Sequence, residues 1–372
     1  MAVSEYMYSR VIAAGLEAIP IGHLDVNPKR VQDSAILWDH WSTDHKKLKS
    51  QAENPGQPWY NFDQCISGLL EFCGDAELII CGPQQEVCAA VVAEKLGVPL
   101  VPVILTPALL YQPNNWWRLA YLSREHRVKS DAYLQARRRI GLENWKAHWN
   151  YKRLIFCASP TLYPFPPHCD LNHQTGFLFE NDCEQLDWEP SEKLKNFFSV
   201  DPKPLVLSFS SQPVNNIQPF LDAYIRAATK LNCRILIQGS WPQLNEYDIP
   251  DDINHENVML LSFSPQDWIF SQASALITHG GIGTIARALR NGCPLLLEPH
   301  TTEQCFNARS VLSWNAGAAI HPKMISADSI ARILEKKTLT RRYKETAESI
   351  QQQIKKENGI TDACNLIESW LP

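Results

Sequence analysis

Between Ser262 and Ala308 the sequence concentrates the residues best suited to chemistry. An apolar run ends at Thr278. His279-Gly280-Gly281-Ile282-Gly283-Thr284 follows at once, then a helical stretch, Ile285–Arg290, that stops at Asn291-Gly292. Glycines let a backbone approach a ligand closely, and a helix start offers unpaired N–H groups and the positive end of the helix dipole. One helix-end contact with an anion contributes only ~0.3–1 kcal/mol when exposed and up to ~2 when partly buried. Several amides together with the His279 imidazole are therefore needed for useful phosphate affinity, and this strand–loop–helix supplies them. Gly281–Ala286 also fits G-x-G-x-x-A, with Glu298 ending the following strand, as a dinucleotide site requires. Such fingerprints usually open a nucleotide domain, whereas this one lies far into the second half. A dinucleotide-dependent oxidoreductase is the distant alternative.

The elements that must position this loop come from the rest of the chain. Its 372 residues are 45% hydrophobic and 20% charged, enough for about two domains with large cores, which excludes a mainly disordered chain. A net charge of −5 argues against nucleic acid as a partner. Eleven scattered cysteines, with no C-x-x-C pair, read as reduced thiols of a cytoplasmic protein. The apolar stretch Val98–Tyr111 is broken by three prolines and is too short to span a bilayer. Ala76–Cys81, Leu100–Leu105, Leu154–Ala158, Leu205–Phe209, Arg234–Gln238, Val258–Ser262, Ala275–Thr278 and Pro294–Glu298 read as buried strands. Helical patterns such as Glu86–Leu96 and Ile217–Lys230 alternate with them, which predicts an α/β protein with parallel sheets. The proline-rich stretch 159–203 reads as a linker between an N-terminal domain, 1–158, and a C-terminal domain, 204–340. Residues 341–372 read as two polar helices split at Asn358-Gly359, expected to pack back on the N-terminal domain.

Several ordered motifs resemble the UDP-sugar-dependent glycosyltransferases of the sterol and macrolide type. Pro265-Gln266-Asp267-Trp268 is similar to that family's P-[QH]-D-W, Thr278–Thr284 to its HGG-x-GT loop, and Leu289–Pro294 to its L-R-x-G-x-P. Glu303-Gln304 stands where the family has Asp-Gln, followed by Asn307-Ala308. Thr175-Gly176-Phe177 and Pro204–Ser211 match upstream landmarks. The resemblance implies the GT-B fold, two facing Rossmann-like domains, and transfer of a hexose from a UDP-sugar to a hydroxyl of a lipophilic small molecule, with inversion. It implies that Ser211, His279, Gly280, Gly281, Gly283 and Thr284 hold the donor diphosphate. Gln266 would contact the base, and Glu303 and Gln304 the sugar hydroxyls. No D-x-D pair occurs, and the resemblance implies no metal and no cofactor beyond the donor substrate. Each of these residues also has a plain structural alternative: His279 as a satisfied strand-end histidine, Glu303 as a solvated acid, Trp268 as core.

Four departures from the family pattern stand out. Ser208 and Ser210 replace glycines, which would strain any position needing positive φ. Arg287 reads as a solvated helix residue, with phosphate contact as its alternative. Glu303 is one methylene longer than the family's aspartate. Met1–Gly22 resembles the family's segment at the end of its second strand, so the resemblance implies that the first strand–helix unit, with the family's catalytic histidine, is missing here; an upstream start is the first expectation, with a sheet that closes the gap and a truncated product as alternatives. The catalytic base is therefore not identified. His23 does not match it, and Glu86 reads as a helix N-terminal acid. A nucleotide-sugar-binding pseudoenzyme is the alternative this leaves. Acceptor binding falls to the N-terminal half, where Asn114–Arg118 and Arg137–Tyr151 suit an apolar pocket lip or a peripheral membrane contact. Nothing in the sequence chooses the acceptor, the hexose or the oligomeric state.

Overall fold

The computed structural model describes residues 1–3, 5–20, 61–83, 85–107, 131–143, 153–164, 173–180, 188–209, 214, 216–239, 244, 247–261 and 264–371. Among these the chain divides into two compact units: one holds residues up to Phe177 and from Asn358 onward, the other Leu178–Glu357.

In the first unit β1 (Ala2–Val3) and β2 (Ile19–Pro20) pair in parallel, and β3 (Ile79–Cys81), β4 (Leu100–Ile104) and β5 (Ile155–Phe156) form a parallel sheet in that order. The amphipathic helix Phe62–Phe72 is capped by the Asn61 side chain and buries Phe62, Cys65, Ile66 and Leu69. With helix Glu86–Leu96 it covers β3. Helix Gly359–Glu368 closes the other side, placing Ala363, Leu366 and Ile367 against Val101, Val103 and Ile155.

The second unit is one six-stranded parallel sheet: β6 (Leu205–Ser208), β7 (Ile235–Gln238), β8 (Val258–Leu261), β9 (Ala275–Thr278), β10 (Leu295–Leu297) and β11 (Gly317–Ala319). Its spatial order is β8-β7-β6-β9-β10-β11. Every side chain of β6, β7, β9 and β10 is buried, which explains their unbroken apolar sequences. Helix Ile217–Lys230 lays Leu221, Tyr224, Ile225 and Ala228 on one sheet face, with Leu207, Phe209 and Ile277 in the same core.

Two expectations about organisation change. The stretch 159–203 is not one continuous linker: Phe156 N–H donates to His173 O at 2.9 Å, Thr175 N–H donates to Phe156 O at 3.2 Å, and the division falls after Phe177. Helix Glu192–Ser199 then buries Leu194, Phe197 and Phe198. Within the tail, only Gly359–Glu368 packs in the first unit. Helix Arg341–Ile354 buries Ala347, Ile350 and Ile354 and falls within the second unit. Ser208 takes no left-handed backbone; it continues β6 opposite Gln238, so the feared strain is absent there. Ser210 lies outside the described residues.

Candidate functional site

The order β8-β7-β6-β9-β10-β11 has a switch point between β6 and β9: the chain runs outward one way from β6 and the other way from β9. Crossover connections diverge there, leaving a crevice beyond the carboxyl ends of the two strands, where open α/β sheets bind ligands. Phe209 follows β6 and His279 follows β9. Chemistry and topology therefore meet at one point.

Gly280 has φ +98°, a conformation that favours glycine, and a Cβ there would lie 3.4 Å from Gln304 O. Its carbonyl accepts from Asn307 Nδ2 at 2.9 Å. Gly281 caps the helix Ile282–Arg290, and a Cβ on it would lie 2.7 Å from His279 Nε2. The imidazole edge thus lies against the open side of Gly281. A Cβ at Gly283 meets nothing within 4 Å, so the first turn is open on that side among the described residues. Thr284 is buried in the same turn. The helix begins three residues earlier than its apolar pattern suggested, which brings Ile282, Gly283 and Thr284 into its amide-bearing first turn.

His279 is 8% exposed, with its ring centroid 5.8 Å from that of Phe209 and Nδ1 3.3 Å from Thr278 Oγ1. Burial, and then the nearby His300, push its pKa down to about 4. It is neutral at pH 7. Desolvation thus makes the imidazole a neutral hydrogen-bonding group rather than a cation.

The helix is anchored at its C-terminal end. Arg287 Nη1 donates to Asp267 Oδ2 at 2.7 Å and Asn291 Nδ2 to Asp267 Oδ1 at 2.7 Å. Arg287 is thus an anchor to helix Gln266–Gln272, not a solvated residue. At the same end Lys344 Nζ donates to Gly292 O at 2.9 Å, placing a cation where the helix dipole is negative. Trp268 is half-buried and packs edge-on to Phe198 and Trp188, at 5.4 and 5.9 Å. Gln266 is half-buried at the first position of its helix, and the buried Ser264 just before it accepts from Gln238 Nε2 through its carbonyl, at 2.6 Å.

Beyond β10, Glu298 is buried, hydrogen-bonded by Tyr224 Oη, and 3.2 Å from His300 Nε2 through Oε1. Helix Thr302–Ser313 opens with a capping box: Gln304 Oε1 accepts from His300 N–H at 2.7 Å and Thr301 N–H at 3.1 Å. Glu303 stands half-buried in the first turn of the same helix. Gln304 is therefore a structural cap as well as a neighbour of Gly280. Asn307, Tyr224 and His300 were not assigned roles by sequence reasoning, and Glu298 only as the strand-end acid of the dinucleotide alternative. The motif around Asn307 marked its place, but only the fold shows that it grips Gly280.

Ser211, Phe263, His23 and the segment Asn114–Arg118 lie outside the described residues, as does most of Arg137–Tyr151. Arg137 is described and pairs with Glu94 at 2.8 Å, 2% exposed, which makes it core rather than a surface charge. Glu86 opens helix Glu86–Leu96 and is buried. Among the described residues no three His, Cys, Asp or Glu side chains converge as a metal-ligand set, and no helix is long and apolar enough to cross a membrane.

Comparison with known proteins places this site in context. Residues 235–364 match the family described as "Erythromycin biosynthesis protein CIII-like, C-terminal domain". A sterol 3-beta-glucosyltransferase of Vanderwaltozyma polyspora is 28% identical over 228 residues, covering 58% of this chain and 18% of that protein. The Neurospora crassa protein of the same name is 26% identical over 337 residues, covering 82% of this chain and 21% of that one. The chain thus spans about a fifth of the length of these relatives. Among solved structures, the calicheamicin glycosyltransferase CalG4 superposes with a TM-score of 0.70 at 16% identity, covering 100% of this chain and 90% of that one. Glycosyltransferase VinC in complex with dTDP gives 0.66 at 17%, covering 99% and 92%. The fold is GT-B, and the resemblance to glycosyltransferases of the sterol and macrolide type is borne out.

Proposed function

We propose that the chain binds a UDP-sugar through its second unit and transfers the hexose to a hydroxyl of a lipophilic small molecule, with inversion at the anomeric carbon. The observation that carries this is the His279-Gly280-Gly281 turn, set with an open helix start at the carboxyl ends of β6 and β9. In this scheme the amides of Gly280, Gly281 and Gly283, the Thr284 hydroxyl and Ser211 hold the diphosphate. Neutral His279 adds one N–H donor. Gln266 faces the base, and Glu303 bonds the sugar hydroxyls, with the amide of Gln304 beside it. The names of the sterol relatives and of the dTDP complex support a nucleotide-sugar donor and an apolar acceptor.

The chemistry follows from charge. As the bond between the anomeric carbon and the β-phosphate oxygen breaks, negative charge builds on the leaving diphosphate. Preorganised N–H donors stabilise that charge without reorganising. Attack from the opposite face by the acceptor oxygen inverts the anomeric centre, and a base takes the acceptor proton. Metal-free donor binding is part of the proposal, as is a peripheral contact with a membrane that holds the acceptor.

The test is a screen in which UDP release from UDP-glucose is followed with and without sterol-type, carotenoid-type and macrolide-type alcohols. Acceptor-dependent release supports transfer. UDP binding without release in any arm would indicate a donor-binding protein without turnover. An absence of UDP binding, measured by melting temperature, would refute the donor site itself.

A further inference from the structure

Gln238 ends β7, whose other residues, Ile235, Leu236 and Ile237, are apolar and buried. In register it faces Ser208 of β6 and Leu261 of β8, so it stands at the carboxyl edge of the sheet, one strand from the switch-point crevice. It is 5% exposed. Its Nε2 donates to Ser264 O at 2.6 Å and to Ser264 Oγ at 3.1 Å. The reverse orientation of the amide would set Oε1 against the Ser264 carbonyl, so the donor must face that way. Oε1 is buried and, among the described residues, has no hydrogen-bond partner. A buried amide left half unpaired works against folding, so stability alone does not account for a glutamine at the end of an apolar strand.

What the donor holds is the entry to helix Gln266–Gln272. Pro265 precedes that helix and gives it no side-chain cap. The place of Gln266 is therefore set by what grips the chain on either side of it. On one side Gln238 ties Ser264, two residues before Gln266, to the sheet. On the other Asp267, the next residue, accepts from Arg287 and Asn291 of the helix that begins at the glycine turn. Gln266 is thus suspended between the sheet and the helix read as the phosphate-binding one.

We propose that Gln238 is a positioning residue for the nucleobase: by holding the Ser264 carbonyl it fixes Gln266 where its carboxamide meets the edge of a pyrimidine, and so favours a uridine donor over a purine one. This rests on the reading of the second unit as a nucleotide-sugar site with Gln266 at the base. A carboxamide offers an acceptor and two donors, which suit the N3–H and a flanking carbonyl of uracil. A purine is one ring larger. Gln266 admits it only by moving, and the tie to Ser264 opposes that movement.

UDP and ADP are the probes, because they share a ribose and a diphosphate and differ only in the base. Their dissociation constants are measured by titration calorimetry on the wild type and on Gln238→Met, which keeps the length of the side chain and loses the donor. The wild type should prefer UDP. In Gln238→Met the affinity for UDP should fall about three- to tenfold, as for one lost neutral hydrogen bond, while that for ADP stays within about twofold. Gln238→Leu takes its place should methionine misfold the protein. A role in packing alone would weaken both nucleotides alike. Unchanged UDP affinity in a folded variant, or equal losses for UDP and ADP, would overturn the role of Gln238 while leaving the donor site standing. A wild type that binds UDP and ADP equally would overturn the proposal together with the placement of Gln266 at the base. Binding of neither would overturn the donor site itself.

Discussion

Alanine at Gly281 would disturb the proposed phosphate turn while leaving its backbone almost untouched. Gly281 has φ −64° and ψ 136°, ordinary for any residue. The added Cβ would lie 2.7 Å from His279 Nε2, 3.4 Å from Cε1 and 3.6 Å from Cδ2. Nonbonded contacts of this kind settle near 3.5–4.0 Å, so the ring must withdraw by roughly 1 Å or swivel. Phe209, itself fully buried, limits that retreat, so the imidazole edge is lost from its place beside the helix start. Alanine stiffens the unfolded chain, stabilising by about 0.4–1 kcal/mol, and weakens the helix cap by a similar amount. The unliganded melting temperature should therefore change little. A hydrogen bond to a charged group contributes about 1.5–3 kcal/mol, so the affinity for UDP should fall about 10- to 150-fold. At UDP concentrations of about 100 times the wild-type Kd, bound ligand stabilises by ~2.7 kcal/mol, and a variant ~30-fold weaker keeps ~0.9. With ~2–4 °C per kcal/mol for domains of 150–250 residues, the shift should drop from about 5–11 °C to about 2–4 °C in a thermal melt. A Gly281→Ala protein with the full wild-type shift would refute the placement of His279 at the phosphate.

Three further outcomes follow from the same geometry. Asp267→Ala removes the partner of both Arg287 and Asn291 and should destabilise by about 1–3 kcal/mol in urea unfolding; unchanged stability would dismiss the clamp. Gly317→Ala puts a Cβ 2.3 Å from Leu295 O between β10 and β11, and should cost about 1–3 kcal/mol or more, read as a lower urea midpoint. His279, at about 4 when folded against 6.5 unfolded, binds its proton more readily in the unfolded chain. It therefore supports the fold fully above pH 6.5 and loses that support as pH falls toward 4. Between pH 7 and 5 the wild type should lose about 2 kcal/mol that His279→Gln does not lose, and equal losses would contradict the burial argument.

Much of the architecture could be read before any coordinates, because fully buried parallel strands leave unbroken apolar runs. Leu205–Phe209, Arg234–Gln238 and Ala275–Thr278 each became a strand within a residue of the expected ends. β11 escaped notice because Gly317-Ala318-Ala319 is small rather than apolar; it must be small, since Gly317 lies against the backbone of Leu295. The phosphate turn was visible for the opposite reason, its glycines standing out against two apolar elements. The supports of that turn were not visible. Asp267, Asn307 and Glu298 are separated from Arg287, Gly280 and Tyr224 by 20, 27 and 74 residues, and polar residues that meet only through the fold leave no periodicity to detect. The charge state of His279 was not legible for a related reason: burial sets it, and burial is a property of the packed sheet.

Gln304 does two jobs with one side chain and its own backbone, tying the start of helix Thr302–Ser313 to His300 while crowding Gly280. If the proposed donor site is right, sugar choice and phosphate grip are mechanically joined there. Under that assignment a change at 304 that retuned the hexose would also loosen the seat of the nucleotide, so altered donor preference should be sought first at its neighbour, Glu303.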